Sequence, residues 1–222
     1  MKRLLSLLRT CSRWLLPAAF LPAAYNQPAM PDLPDKDATS HRFRITDNSS
    51  LSLEGKTNVN VFRCRCTEKF FRQEYSALSA ATPSESLHFR NTGLALPVAS
   101  LDCGNKLMNK DLQKALRHDL HPFIHIYLRE VKPDKCHRLS AGNDWIRLKA
   151  LTCISINGMD KEYWLDVNAL RLSSTRYRFV CAKRIDMTDF GITPPSAMMG
   201  MVRVENDIVI RMDLEIALDE SL

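Results

Sequence analysis

The sequence predicts an all-β fold, a closed barrel or a sandwich, with one short helix. Two observations carry that prediction. At the end of the stretch Asp186–Leu218, the residues Ile208, Ile210, Met212, Leu214, Ile216 and Leu218 fall on one face. Arg211, Asp213 and Glu215 fall on the other, with Val209 the single apolar intruder. A period of two describes a strand with one dry face and one wet face. Shorter segments of the same pattern recur back to His41, separated by turn signals such as Asn157-Gly158 and Ser173-Ser174. Many strands joined by short turns favour an antiparallel barrel or sandwich, which buries the dry faces.

The chain's 222 residues permit one large β domain or two small ones. With 45% apolar and 25% charged residues it reads as globular rather than disordered. Met1–Ala24 opens with Lys2 and Arg3, carries Arg9 and Arg13, then runs from Trp14 to Ala24 without a charge. A basic region, an apolar run and a small-residue end match a secretory signal peptide cleaved near Ala24, so a periplasmic or secreted protein is expected. The run is about half the length that spans a bilayer, so an integral membrane protein is not expected. An amphipathic leader is the alternative, because Arg9 and Arg13 interrupt the early leucines. Residues 25–40, rich in Pro, Ala and Asp, read as an extended linker, leaving 41–222 as the β domain. The formal charge of +6 comes from 31 basic against 25 acidic residues. Without the four basic residues of the leader the balance is 27 to 25, which carries no nucleic-acid footprint.

The strands are read in order. Phe43 and Ile45 alternate with Arg42 and Arg44; Leu51 and Leu53 alternate with Ser50, Ser52 and Glu54. Gly55–Phe62 continues as a strand bent at the glycine. Phe70–Leu78 and Leu87–Val98 follow, the latter with turn residues from Asn91 to Gly93. Phe123–Val131 places Ile124, Ile126 and Leu128 on one side, and Trp145–Ile156 does the same with Ile146, Leu148, Ala150, Ile154 and Ile156. Tyr163, Leu165 and Val167 share a face, as do Tyr177, Phe179, Cys181, Ile185 and Met187. The closing strand brings the count to about eight or nine. Phe190-Gly-Ile-Thr-Pro-Pro195 reads as a loop, since consecutive prolines cannot donate to a ladder.

One helix interrupts the pattern. Asn109 is the expected cap, Leu112, Ala115 and Leu116 form its apolar stripe, and Lys114, Arg117 and His118 suit its negative end. Such a helix can plug an open barrel end.

Six cysteines remain beyond the leader. A disulfide suits an exported protein, but spacing does not select among the pairings. Cys64 ends one strand and Cys103 follows another, so these two are the expected pair, with Cys153 and Cys181 as buried thiols. His118, His121 and His125, or Cys64 with Cys66, are the metal-ligand candidates, yet no zinc-like pattern forms and no metal is expected. No GxSxG, P-loop, GxGxxG or HExxH motif occurs, so no enzyme is expected. Asp213 and Glu215, on the wet face, read as solvated charge.

Three stretches together resemble the YceI-like family. They are Gly55-Lys-Thr-Asn-Val-Asn-Val-Phe-Arg-Cys64; Leu96-Pro-Val-Ala-Ser-Leu-Asp-Cys103 with Met108–Leu116 and His121-Pro-Phe-Ile124; and Asp189-Phe-Gly-Ile-Thr-Pro-Pro195 with Met199-Gly200 and the closing strand. Their order and spacing cover residues 41–218. The resemblance implies an extended, lipocalin-like antiparallel eight-stranded β-barrel whose tunnel holds a long apolar chain such as a polyisoprenoid. It implies an exported, usually periplasmic protein, and brings no catalytic residues.

The dry face then has two readings. An eight-stranded barrel is just wide enough to be filled by side chains or to hold one small ligand. With the resemblance, Ile124, Ile126, Leu128, Leu165, Val167, Phe179, Ile210, Met212, Leu214 and Ile216 are the expected tunnel lining, and a polyisoprenoid or other lipid the expected ligand. Met187, Met198, Met199, Met201 and Met212 suit either an irregular tunnel or ordinary packing. The alternative is a structural or stress-response envelope protein with a filled barrel. An open barrel mouth or exposed edge can support a homodimer.

Overall fold

Apolar alternation sets where the strands run, and glycine, asparagine and proline set where they stop. The computed structural model describes residues 38–68, 72–78, 86–90, 92–134 and 145–218. The expected signal peptide, residues 25–37 of the expected linker, Phe70 and Cys136 lie outside the described residues. The elements are β1 (Ala38–Ile45), β2 (Ser50–Thr57), β3 (Val61–Cys66), β4 (Arg72–Leu78), β5 (Leu87–Arg90), β6 (Gly93–Pro97) and β7 (Leu101–Asp102). Helix α1 (Lys106–Ala115) follows, then β8 (Phe123–Pro133), β9 (Ile146–Ile156), β10 (Met159–Arg171), β11 (Arg176–Asp186), β12 (Ser196–Ala197) and β13 (Val202–Leu218). The first strand begins at Ala38, inside the stretch read as linker.

All ladders among the described residues are antiparallel, as the fold class requires. The order β1-β4-β5-β8-β9-β10-β11-β13 returns to β1, because Phe43 pairs with Leu218 and Ile45 with Ile216. Eight ladder positions therefore close at this end. At the other end β13 pairs with β2, β2 with β3 and β3 with β7, while β6 pairs with β8. No ladder joins β7 or β3 to β6 among the described residues, so the sheet is open there. β1 and β2 thus share β13 as a partner, and β5 and β6 share β8.

Two local expectations need correction. Residues 55–62 hold a chain reversal rather than one bent strand. The Thr57 hydroxyl accepts from the amides of Val59 (3.2 Å) and Asn60 (2.9 Å), folding β2 back onto β3. Helix α1 starts earlier than expected, with Asn105 as its cap. The Asn105 side chain accepts from the amides of Leu107 (2.8 Å) and Met108 (3.3 Å). Asn109 instead braces the entry: its Oδ1 accepts from the Cys103 amide (2.8 Å) and its amide donates to Asp102 (2.9 Å). Gly104, at φ +76°, supplies the left-handed turn that lets the helix begin there.

A third correction concerns Glu215. It lies on the wet face of β13, yet it is buried rather than solvated. The turn between β1 and β2 covers it. The Thr46 amide donates to the Glu215 carbonyl (2.8 Å), Glu215 donates its amide to the Ser49 hydroxyl (2.9 Å), and Asn48 Nδ2 donates to Oε2 (3.2 Å). Arg176 on β11 completes the clamp, its Nε donating to Oε1 at 3.1 Å. One residue thus fixes the jog where β13 exchanges β1 for β2 as its neighbour.

The Arg176 hydrogen bond, with that of Asn48, holds the Glu215 carboxyl below its ordinary 4.5 against the opposing effect of burial. A carboxyl depressed on folding contributes stability above its unfolded pKa and loses it as pH falls through the folded one. Glu215→Gln is therefore expected to destabilise the barrel at neutral pH by about 1–2 kcal/mol. Urea midpoints of both proteins at neutral pH and well below pH 4 check this; the gap should close on acidification.

Candidate functional site

The two ends of the barrel are filled differently. In the closed half, Ala150, Leu165, Val167 and Met212 are buried and pack with Leu128, Phe179 and Leu214. At the open end, an apolar cavity of about 270 Å³ remains. Its sheet walls are Leu51, Leu53 and Phe62, Leu96 and Leu101, Ile124 and Ile126, Ile156, Ile185, and Val202, Val204, Ile208 and Ile210. Helix α1 and the residue after it contribute Leu107, Met108, Leu112, Ala115 and Leu116. The helix thereby covers the gap that the sheet leaves between β3 and β6.

The third wall is the segment between β11 and β13, with Met187, Phe190, Ile192, Pro195 and Ser196 facing the cavity. Its position is fixed by polar contacts behind it. Asn157, at φ +54° in the β9–β10 turn, donates from Nδ2 to the Phe190 carbonyl (3.0 Å). The Tyr163 hydroxyl donates to Asp189 (3.0 Å), and its ring lies 6.4 Å from that of Phe190. Burial, reinforced by Asp189, pushes the Tyr163 phenol up to about 12. The hydroxyl therefore remains a donor across the physiological range. Phe190 is fully buried.

One further device shapes the bore. Gly55 on β2 faces Phe62 on β3 across the ladder. A Cβ at position 55 would lie 2.4 Å from Phe62 Cζ and 2.7 Å from Ile208 Cδ1. The glycine therefore lets the ring lie flat over the backbone beside the cavity.

Of the ten expected tunnel residues, Ile124, Ile126 and Ile210 line this cavity. Leu128, Leu165, Val167, Phe179, Met212 and Leu214 lie in the packed half, and Ile216 pairs with Ile45 at the closed ring. Met187 reaches the cavity, whereas Met199 and Met201 are exposed and the side chain of Met198 lies outside the described residues. Sequence reasoning missed Phe190, Ile192 and the helical stripe as cavity wall. The stripe was visible at Leu112, Ala115 and Leu116; what it faced was not.

Cys64 and Cys103 are joined in a disulfide, and both sulfur-bearing residues line the cavity. The bond ties β3 to the entry of α1. Cys153 and Cys181 are free; Cys153 is buried as expected, Cys181 half-buried, and burial raises both thiols, Cys181 to about 11. His125 stacks on Tyr127 (5.6 Å). With Cys64 in a disulfide it is not available as a thiolate ligand, and no group of three or more metal-ligating side chains occurs among the described residues.

Asp111 is the one ionisable side chain among the described lining residues, and it is exposed on the helix. Thr57, Asn105 and Ser196 are the other polar lining groups; Asn105 and Ser196 are exposed. The wall therefore offers mainly van der Waals contact.

No family model matches the sequence, and no curated protein matches it. The fold has counterparts among solved structures. A polyisoprenoid-binding domain from Saccharophagus degradans, implicated in plant cell wall breakdown, superposes with a TM-score of 0.56 at 10% identity, covering 80% of this chain and 98% of that one. Burkholderia cenocepacia BcnA superposes at 0.53 with 17% identity, covering 75% and 95%. A Campylobacter jejuni YceI protein gives 0.46 at 16%, covering 66% and 82%. The all-β class with one helix, expected from the alternating strands, is the fold observed, and the first two of these solved structures share it.

The disulfide closes a loop with a sequence separation of 39. A paired Cys64→Ser, Cys103→Ser variant should lose about 2–4 kcal/mol of stability. Urea denaturation of the oxidised protein and the variant measures the difference.

Proposed function

We propose that this chain is an exported lipid-binding protein that holds part of a long apolar, polyisoprenoid-like ligand in the open-end cavity and is not an enzyme. One observation carries the reading: an apolar cavity whose described wall holds a single ionisable residue, Asp111, and that one exposed. The fold shared with a polyisoprenoid-binding domain supports it. In this reading residues 1–24 are a signal peptide, the linker ends before Ala38, where the first strand of the binding domain begins, and the protein acts in the periplasm or outside the cell.

The volume sets the scale. An apolar cavity of about 150 Å³ holds a benzene ring, so this one takes a chain segment of about ten carbons. At about 0.8 kcal/mol per buried CH₂, that segment offers about 8 kcal/mol before association and ordering costs. A longer ligand extends through the mouth or displaces side chains of the packed half. The packing of that half favours, as second reading, a structural envelope protein with a filled barrel.

Protein purified from its native envelope without detergent exchange is expected to carry an extractable apolar lipid. Native mass spectrometry that finds only the unliganded mass would favour the filled-barrel reading. Ile208→Trp, which places an indole in the cavity, should lower lipid loading several-fold while leaving the β spectrum intact. Met212→Trp tests the packed half: loss of stability without a specific loss of loading would leave the ligand at the open end alone.

A further inference from the structure

The cavity opens at an end of the barrel whose surface is unusually apolar. Among the described residues, eleven large apolar side chains are exposed, and eight of them belong to elements at this end. Five surround the mouth. Val59 and Val61 sit on the β2–β3 turn, Leu107 on the first turn of α1, and Met199 and Met201 on the segment leading into β13, all at least 59% exposed. Asn58 links two of these groups: its Nδ2 donates to the Met201 carbonyl (2.9 Å) and its Oδ1 accepts from the Arg203 amide (2.8 Å). Met199 is fully exposed at φ +55°, a left-handed conformation disfavoured for a residue with a side chain.

The charges in the segments around the mouth are predominantly positive. Residues 56–61, 105–111 and 193–203 carry Lys56, Lys106, Lys110 and Arg203 against Asp111. All four cations are exposed. Apolar side chains ringed by cations match the surface of an anionic bilayer, where the former enter the acyl boundary and the latter meet the phosphates.

We propose that this end of the barrel docks on an anionic lipid surface, with Val59, Val61, Leu107, Met199 and Met201 inserted and the cavity mouth held against the leaflet. The purpose of docking rests on the lipid-binding reading, since an apolar chain can then pass into the cavity without crossing water. Docking itself does not require an occupied cavity. Each cation contributes about fivefold to partitioning onto an anionic surface.

The test is co-sedimentation of the exported protein, recovered from the envelope, with vesicles of phosphatidylglycerol and phosphatidylethanolamine, and with vesicles of phosphatidylcholine alone. Binding is expected to the anionic vesicles, with a loss of tenfold or more on phosphatidylcholine or at high salt. A Val59→Asp, Met201→Asp variant should lose at least tenfold on anionic vesicles while keeping its β spectrum; neither residue lines the cavity. Ile208→Trp, which occupies the cavity, should co-sediment like the wild type. Equal sedimentation of the wild type and the aspartate variant would overturn the proposal. So would a soluble dimer that buries these residues and leaves the vesicles unbound. If vesicles are not bound while lipid still co-purifies, docking fails and the cavity reading stands.

Discussion

Strand β13 must satisfy both of its edges over seventeen residues, and the barrel depends on how it does so. On one edge it pairs with β11 from Asp207 to Ala217 without a register shift. On the other it pairs with β2, then with β1, and the change of partner falls at Glu215. Unpaired edges invite association with other chains, so a partner on each side along most of the strand, with one irregularity between Val204 and Ile208, is what allows closure. The carboxylate that terminates one ladder and starts the next is held by a cation from β11. Closure is therefore an electrostatic as well as a backbone matter.

The same constraint explains why one end is hollow. Where eight ladder positions close, inward side chains meet across the bore and fill it. Where β3 and β6 fail to pair, the bore is wider and the chain spans it with a turn, a disulfide and a helix. A helix presents a stripe rather than a pleated face, and a stripe over a gap leaves space that the sheet would have filled. The cavity is a consequence of that substitution of element type. Its third wall, held by Asn157 and Tyr163, owes its position to hydrogen bonds between residues some thirty apart in sequence.

Much of this was legible in the residues. The period-two segments located nearly every strand, because burial of one face leaves a direct mark on composition. Phe190–Pro195 was readable as a loop because proline cannot donate. What escaped reading depended on partners distant in sequence. Glu215 looked solvated because alternation says which face a residue is on and not whether a turn lies over that face. Asn109 and Asn105 are equally good caps by type; Gly104 decided between them through a left-handed backbone. Periodicity puts the expected tunnel residues on inward faces, and the resemblance makes those faces a tunnel; neither says where along a strand the bore is hollow. Occupancy changes along the strand, so only Ile124, Ile126 and Ile210 fell at the hollow end.

The pairing of Gly55 with Phe62 has a consequence for the shape of the cavity. The calibre of the bore here is governed by a hydrogen atom where other residues carry carbon. A single methyl at that position would force Phe62 and Ile208, both of which line the cavity, to shift. The shape of the cavity is thus set in part by one missing side chain, at a position that strand alternation alone does not mark.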